Sequence, residues 1–136
     1  MKIKSTLGAG MLFLFVFVSS FSLKQAFDLK ASIARGKEIY TNFCISCHME
    51  QGTGIENLYP PLAKSDYMMN DKKRSILQVL KGANGEMKVN GKTYNAPMTG
   101  FDLIDEQVSD LLNYCRNSWG NKGGAIKPEE VAIARK

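Results

Sequence analysis

Two of the chain's three cysteines and its only histidine fall within five consecutive positions of TNFCISCHME, residues 41–50: Cys44, Cys47 and His48. Three chemistries use a cysteine pair this close. A redox dithiol of the thioredoxin kind places Cys-x-x-Cys at the start of a helix that follows a strand, inside an α/β pattern. A structural zinc site needs four ligands, commonly as two pairs. In Cys-x-x-Cys-His, with the histidine next to the second cysteine, the two thiols add to the vinyl groups of a haem as thioethers and the imidazole reaches the iron.

The elements that would position these residues decide among the three. SIARGKEIYTNF, residues 32–43, reads as an amphipathic helix with Ser32 as its N-cap and Ile33, Gly36, Tyr40 and Phe43 at helical spacing; it runs straight into Cys44. The stretch EQGTGIENLYPPLAKSD after it is rich in Gly, Asn and Pro and reads as a loop. Asn70 to Lys81 has a helix start, an apolar face of Ile76, Leu77 and Leu80, and a stop at Gly82. Asn90-Gly91 inside EMKVNGKTYN signals a short hairpin near residues 86–95. The last strong helix is expected from Asp105 to Trp119, with Val108, Leu111, Leu112, Cys115 and Trp119 on one apolar stripe. Beyond Gly120, a Gly-rich link leads to a short helical end from Pro128, suited either to docking elsewhere or to packing on its own domain.

A helix precedes the cysteine pair and no βαβ pattern surrounds it, which argues against the dithiol. Zinc lacks a fourth ligand, since Cys115 sits on a core-facing stripe and reads as a small buried hydrophobe. Few short elements joined by long connections bury little apolar surface, so a large apolar cofactor is needed at the centre. One haem c, attached through Cys44 and Cys47 and bound through His48, meets all these demands. The second axial position has candidates in Met49, Met68, Met69, Met87 and Met98. Met49 is too close to His48 to cross the ring, and Met98 ranks first because Pro97 and Gly100 stiffen and bend its loop. A thioether opposite histidine raises the reduction potential.

The N-terminus reads as an export segment. Lys2 and Lys4 precede an apolar run centred on Leu12 to Val18, followed by small residues. Residues 1–22 are expected to be a cleaved signal peptide, with an uncleaved membrane anchor reaching to about residue 26 as the competing reading. The haem domain then covers 27–120 and a tail with a short helix covers 121–136. The net charge is +5, of which the two lysines of the segment contribute two, and this mild excess argues against a dedicated nucleic-acid binder.

With these motifs in view, residues 33–120 resemble a monohaem class I cytochrome c. The resemblance implies an all-α fold in which N- and C-terminal helices cross around the haem, with Gly36 and Tyr40 meeting Leu111 and Tyr114. It implies that YPPLA supplies the Pro60 carbonyl as acceptor for the imidazole N–H and Leu62 as a haem contact, and it strengthens Met98 as distal ligand. NGKTYNAPMTGF and EQVSDLLNYCRNSWGN are similar to bacterial cytochrome c subunits associated with nitrite reductases, alcohol dehydrogenases and terminal oxidases. Two departures stand out: Ile104 replaces a Ser or Thr helix cap, for which Asp105 is expected to substitute, and Cys115 replaces an aliphatic residue. The function implied is one-electron transfer without catalysis, with oxidoreductases or terminal oxidases as partners, in the periplasm or anchored to the outer face of the cytoplasmic membrane. Alternatives are a relay subunit inside a larger oxidoreductase and a ligand-binding or peroxide-reducing haem protein. Lys64, Lys72 and Lys73 are expected to ring the exposed haem edge and guide acidic partners.

Overall fold

Apolar residues at helical spacing on the first and last long segments give two helices that must bury their stripes against each other. The computed structural model describes residues 26–136, so the leader expected over 1–22 lies outside the described residues. Helix α1 spans Leu29–Phe43 and α5 spans Asp105–Arg116, and they pack together along their lengths. Between them come α2 (Ile45–His48), α3 (Asp66–Asn70) and α4 (Lys72–Lys81), then β1 (Gly82–Ala83), β2 (Met87–Val89), β3 (Lys92–Tyr94) and β4 (Met98–Thr99). Helix α6 (Pro128–Arg135) follows α5 and packs on α5 and α4.

Gly36 sets the distance between α1 and α5. A Cβ there would collide with the Asp110 carbonyl and lie 2.8 Å from Tyr114 Cβ, so only glycine permits this approach. Beside it, the Arg35 guanidinium donates to both Asp110 carboxylate oxygens at 2.6 and 2.8 Å. Tyr40, Tyr114 and Trp119 pack around the crossing with ring centroids 5.0–5.4 Å apart.

Three expectations need correction. Asp28, not Ser32, caps α1, accepting from Ala31 N at 3.0 Å. Ser32 is fully buried inside the helix, where its hydroxyl accepts from Asn113 Nδ2 at 2.9 Å. Helix α5 ends at Arg116, and Trp119 follows it at φ 53°, so the ring reaches the aromatic cluster from a turn. Asp105 is the first helical residue rather than the cap; Gln107 Oε1 accepts from Ile104 N at 3.1 Å.

The Asn90-Gly91 hairpin forms between β2 and β3, both turn residues having positive φ. A second antiparallel pair, β1 with β4, carries no sequence signal; it sets Ala83 opposite Met98. Asp71 separates α3 from α4 and caps the latter, accepting from Arg74 N at 2.9 Å.

The segment after α5 is tied down by buried polar groups. Asn113 Nδ2 donates to Ile126 O at 2.8 Å and its Oδ1 accepts from Ile126 N at 2.8 Å, while Ser109 Oγ also donates to Ile126 O. Asn113, Ser109 and Ser32 are all buried and each has a hydrogen-bond partner, so together they join α1, α5 and the tail. Ile126 and Val131 are fully buried, so the tail helix packs on its own domain.

Candidate functional site

The end of α1 delivers the cysteine motif. Cys44 N donates to Tyr40 O at 2.9 Å, continuing the helix, and α2 then turns Cys44, Cys47 and His48 toward a common space. At Met49, φ of 62° breaks the helix and sends the chain away. Two side chains from the helix-crossing side fix this turn: Tyr40 Oη donates to Met49 O at 2.6 Å and Trp119 Nε1 to Glu50 O at 3.0 Å.

The Gly- and Pro-rich loop is held by its own backbone. Gly54 N donates to His48 O at 3.0 Å, and the amides of Leu62 and Ala63 both donate to Gly52 O, at 2.8 and 2.9 Å. His48 Nδ1 donates to Pro60 O at 2.9 Å. A carbonyl can only accept, so the Nδ1 proton is committed and the Nε2 lone pair is left for a metal. Asn121, which sequence reasoning missed, staples the loop to α5: its Nδ2 donates to Leu62 O at 2.9 Å and Cys115 O at 2.7 Å, and its Oδ1 accepts from Lys64 N at 2.7 Å. No local pattern marks it, because its partners lie in segments far apart in the chain.

On another wall stands Met98, in β4. Gly82 at φ 79° brings β1 so close that a Cβ there would strike Met98 O, and Phe101 N donates to Val79 O at 2.9 Å to fasten the end of the strand to α4.

These walls enclose a cavity of about 420 Å³, within the range of small-molecule and cofactor sites. Cys44, Cys47, His48, Pro60, Leu62 and Met98 all line it, with Phe43, Val79, Phe101, Leu111, Leu112 and Cys115 supplying apolar surface. Met68 and Met87 line it too, whereas Met49 and Met69 do not. No Asp, Glu, Lys or Arg is among the lining residues. Burial, and secondarily the neighbouring Cys47, pushes the Cys44 thiol up to about 12, so it stays uncharged in the cavity. Burial also lowers the His48 pKa, against the opposing effect of its Pro60 bond, which favours the neutral imidazole that a metal requires. Two thiols, an oriented imidazole and thioether sulfurs around apolar walls are the donor set a covalent haem needs, and the residues fit it.

One of the three lysines expected at the haem edge is bonded to the tail. Lys72 Nζ donates to Ala125 O at 2.6 Å and Glu130 Oε1 at 2.9 Å, which binds it to the tail. Lys73 borders a separate open groove beside α4, and none of Lys64, Lys72 and Lys73 lines the haem cavity.

Helices from the two ends of the chain, packed at a glycine and flanking a pocket with paired cysteines and an oriented histidine, define a covalent haem-binding domain. The sequence model of the cytochrome c family matches residues 33–119, and the chain belongs to that family. It is a monohaem class I cytochrome c that carries electrons through a covalently bound haem c. Cytochrome c-552 of Thermus thermophilus is 36% identical over 112 residues, covering 75% of this chain and 85% of the relative. The cytochrome c subunit of alcohol dehydrogenase (quinone) from Gluconobacter oxydans is 30% identical over 103 residues, covering 74% of this chain but 22% of the subunit. The gluconate 2-dehydrogenase cytochrome c subunit of Pantoea cypripedii is 29% identical over 105 residues, with 74% and 24% covered. The chain therefore spans about a quarter or less of the dehydrogenase subunits it matches.

Proposed function

We propose that His48 and Met98 are the two axial ligands of the haem iron, with Cys44 and Cys47 as its thioether attachments and Pro60 and Leu62 as supporting contacts. The observation that carries this is the convergence of all six residues on one uncharged cavity, with the His48 tautomer set by the Pro60 carbonyl. When bound, the haem supplies a one-electron Fe(II)/Fe(III) couple. The chain's own part is to hold both ligands in place, exclude water and keep charged side chains off the cavity wall, so that little rearranges when the electron moves. With both axial positions filled by the protein, no substrate reaches the iron and the protein is a carrier rather than an enzyme.

Phe43, 46% exposed at the end of α1, and the half-buried Cys47 mark the edge through which electrons enter and leave. Partners are oxidoreductases, dehydrogenases among them, as the names of two relatives suggest. A carrier is favoured over a relay subunit by the higher identity to cytochrome c-552, 36% against 30% and 29% for the dehydrogenase subunits. The carrier acts outside the cytoplasm, in the periplasm or tethered to the membrane by residues 1–26.

The test is the visible spectrum of the reduced protein with and without carbon monoxide, for the parent and for Met98→Ala. The parent is expected to show a low-spin spectrum unchanged by the gas; the variant should bind the gas and have a lower reduction potential. If Met98→Ala retains the parent's spectrum and potential, the ligand is another sulfur on the wall, Met68 or Met87.

A further inference from the structure

Arg116, the last residue of α5, is 4% exposed, a burial seldom tolerated by a guanidinium without a carboxylate partner. Among the described residues no carboxylate forms an ion pair with it. Its side chain is held instead by backbone carbonyls: Nη1 donates to Met68 O at 3.0 Å and Met69 O at 3.3 Å, and Nε to Gly124 O at 3.4 Å. The tail closes over it, with Gly123 N donating to Arg116 O at 2.8 Å and leaving no room for a Cβ at Gly123.

The residues around this charge place it just behind the haem cavity. Met68, whose carbonyl it grips, lines the cavity, and so does Cys115, its neighbour on α5. A carbonyl dipole solvates a cation but does not cancel its charge, so a positive charge is held against the backbone of a residue whose side chain lines the cavity. The wall itself carries no charged side chain to offset it.

We propose that Arg116 is a positioning residue for electron transfer, a buried cation that tail residues 123 and 124 lock behind α3 and that biases the iron toward Fe(II). The oxidised centre carries one more positive charge than the reduced one, so a fixed cation nearby destabilises it selectively, and the low polarisability of the interior lets the field act across the wall. The same guanidinium tethers α3, which sets where Met68 stands. This rests on the haem occupying the cavity but not on which methionine ligates it. Among the carboxylates, the field of Glu130 opposes the guanidinium, and its own bonds to Lys72 Nζ and Lys127 N hold it nearby at the start of α6.

The experiment measures the reduction potential and visible spectrum of the haem-loaded protein carrying Arg116→Gln or Arg116→Lys. Arg116→Gln should shift the equilibrium with a fixed electron donor about tenfold toward the oxidised form, 59 mV for a one-electron couple, with an unchanged low-spin spectrum. Arg116→Lys keeps the charge while losing the fork of hydrogen bonds, and should retain most of the parent's potential even where its thermal stability falls. A purely structural role predicts the reverse: equal potentials, or equal losses in both variants following stability rather than charge, and that result overturns the proposal. A changed spectrum would show instead that the substitution displaces a ligand, so that Arg116 acts through the structure and not through its charge, and that result also overturns the proposal. Should Arg116→Gln not retain haem, Glu130→Gln carries the test from the tail side. Removing the opposing carboxylate is expected to move the equilibrium a further two- to threefold toward Fe(II), and no shift there counts against the proposal.

Discussion

The side of the molecule where α1 crosses α5 and the side that surrounds the haem are built on different terms. At the crossing, residues meet directly: Gly36 against the Asp110 backbone, Tyr40 against Tyr114 and Trp119, Asn113 between Ser32 and Ile126. Around the cavity, loop 49–65 and the strands β1 and β4 are held mainly by backbone hydrogen bonds and by a few side chains that reach over from the other side, Tyr40, Trp119 and Asn121. The polypeptide completes the first region itself, while the second takes its interior from the prosthetic group. Stability and chemistry are thereby assigned to opposite faces, with Tyr40, Trp119, Asn121 and Arg116 among the links.

The largest test removes the haem. Replacing Cys44 and Cys47 by alanine should cost most of the roughly 5–15 kcal/mol expected of a domain this size. Amide exchange is expected to show loop 49–65 and residues 82–101 opening first, with the middle of α1 and α5 the last to lose protection. Equal loss everywhere would erase the contrast between the two regions.

Next comes Gly36→Ala, which strikes the crossing alone. Its Cβ meets backbone that cannot step aside cheaply, so a loss of about 3 kcal/mol is expected in denaturant unfolding of the haem-loaded protein. The potential and spectrum should stay close to the parent's. A shifted potential would mean that the crossing positions the ligands more directly than the geometry indicates.

Asn121→Ala acts on a link between the regions. It leaves Leu62 O, Cys115 O and Lys64 N without their partner, and about 2 kcal/mol should be lost. Exchange should quicken at Lys64 and in the loop that carries Pro60, with α1 little affected.

The smallest effect is an acid one, on the tail. Partial burial pulls the Glu130 carboxyl upward, but its bonds to Lys72 Nζ and Lys127 N and the fields of those lysines prevail and hold it below the usual value. The folded state therefore favours the ionised form; this contribution is complete above the unfolded pKa, about 4.3, and fades as pH falls through the lower folded value. Because the pair is over a third exposed, no more than about 0.5 kcal/mol is expected, read as the difference in pH dependence between parent and Glu130→Gln. Were the difference much larger, the tail would belong with the interlocked core rather than at its margin.

What the sequence disclosed follows the range of the interactions involved. The cysteine motif, the Asn90-Gly91 turn, the Gly82 stop and the stripe of Val108, Leu111, Leu112 and Cys115 are local patterns, and each was legible. Ser32 was misread because a serine before an apolar repeat looks like a cap; its actual partner, Asn113, is 81 residues away. Trp119 kept the helical period although the helix had ended, since periodicity registers side-chain type and not backbone direction. Lys72 looked available for partners until the tail, folding back, supplied Ala125 and Glu130. Asn121 and Arg116 carried no signal at all, because what makes them matter is the carbonyls they reach.

The Asn113 clamp also has a consequence in time. Its buried amide finds its full set of partners only once Ile126, 13 residues further along, has arrived. A chain that emerges N-terminus first cannot close α1 on α5 without cost until the segment after α5 has followed. Cys44 and Cys47 emerge long before that closure, so the order of synthesis leaves the motif accessible until the helix pair has closed.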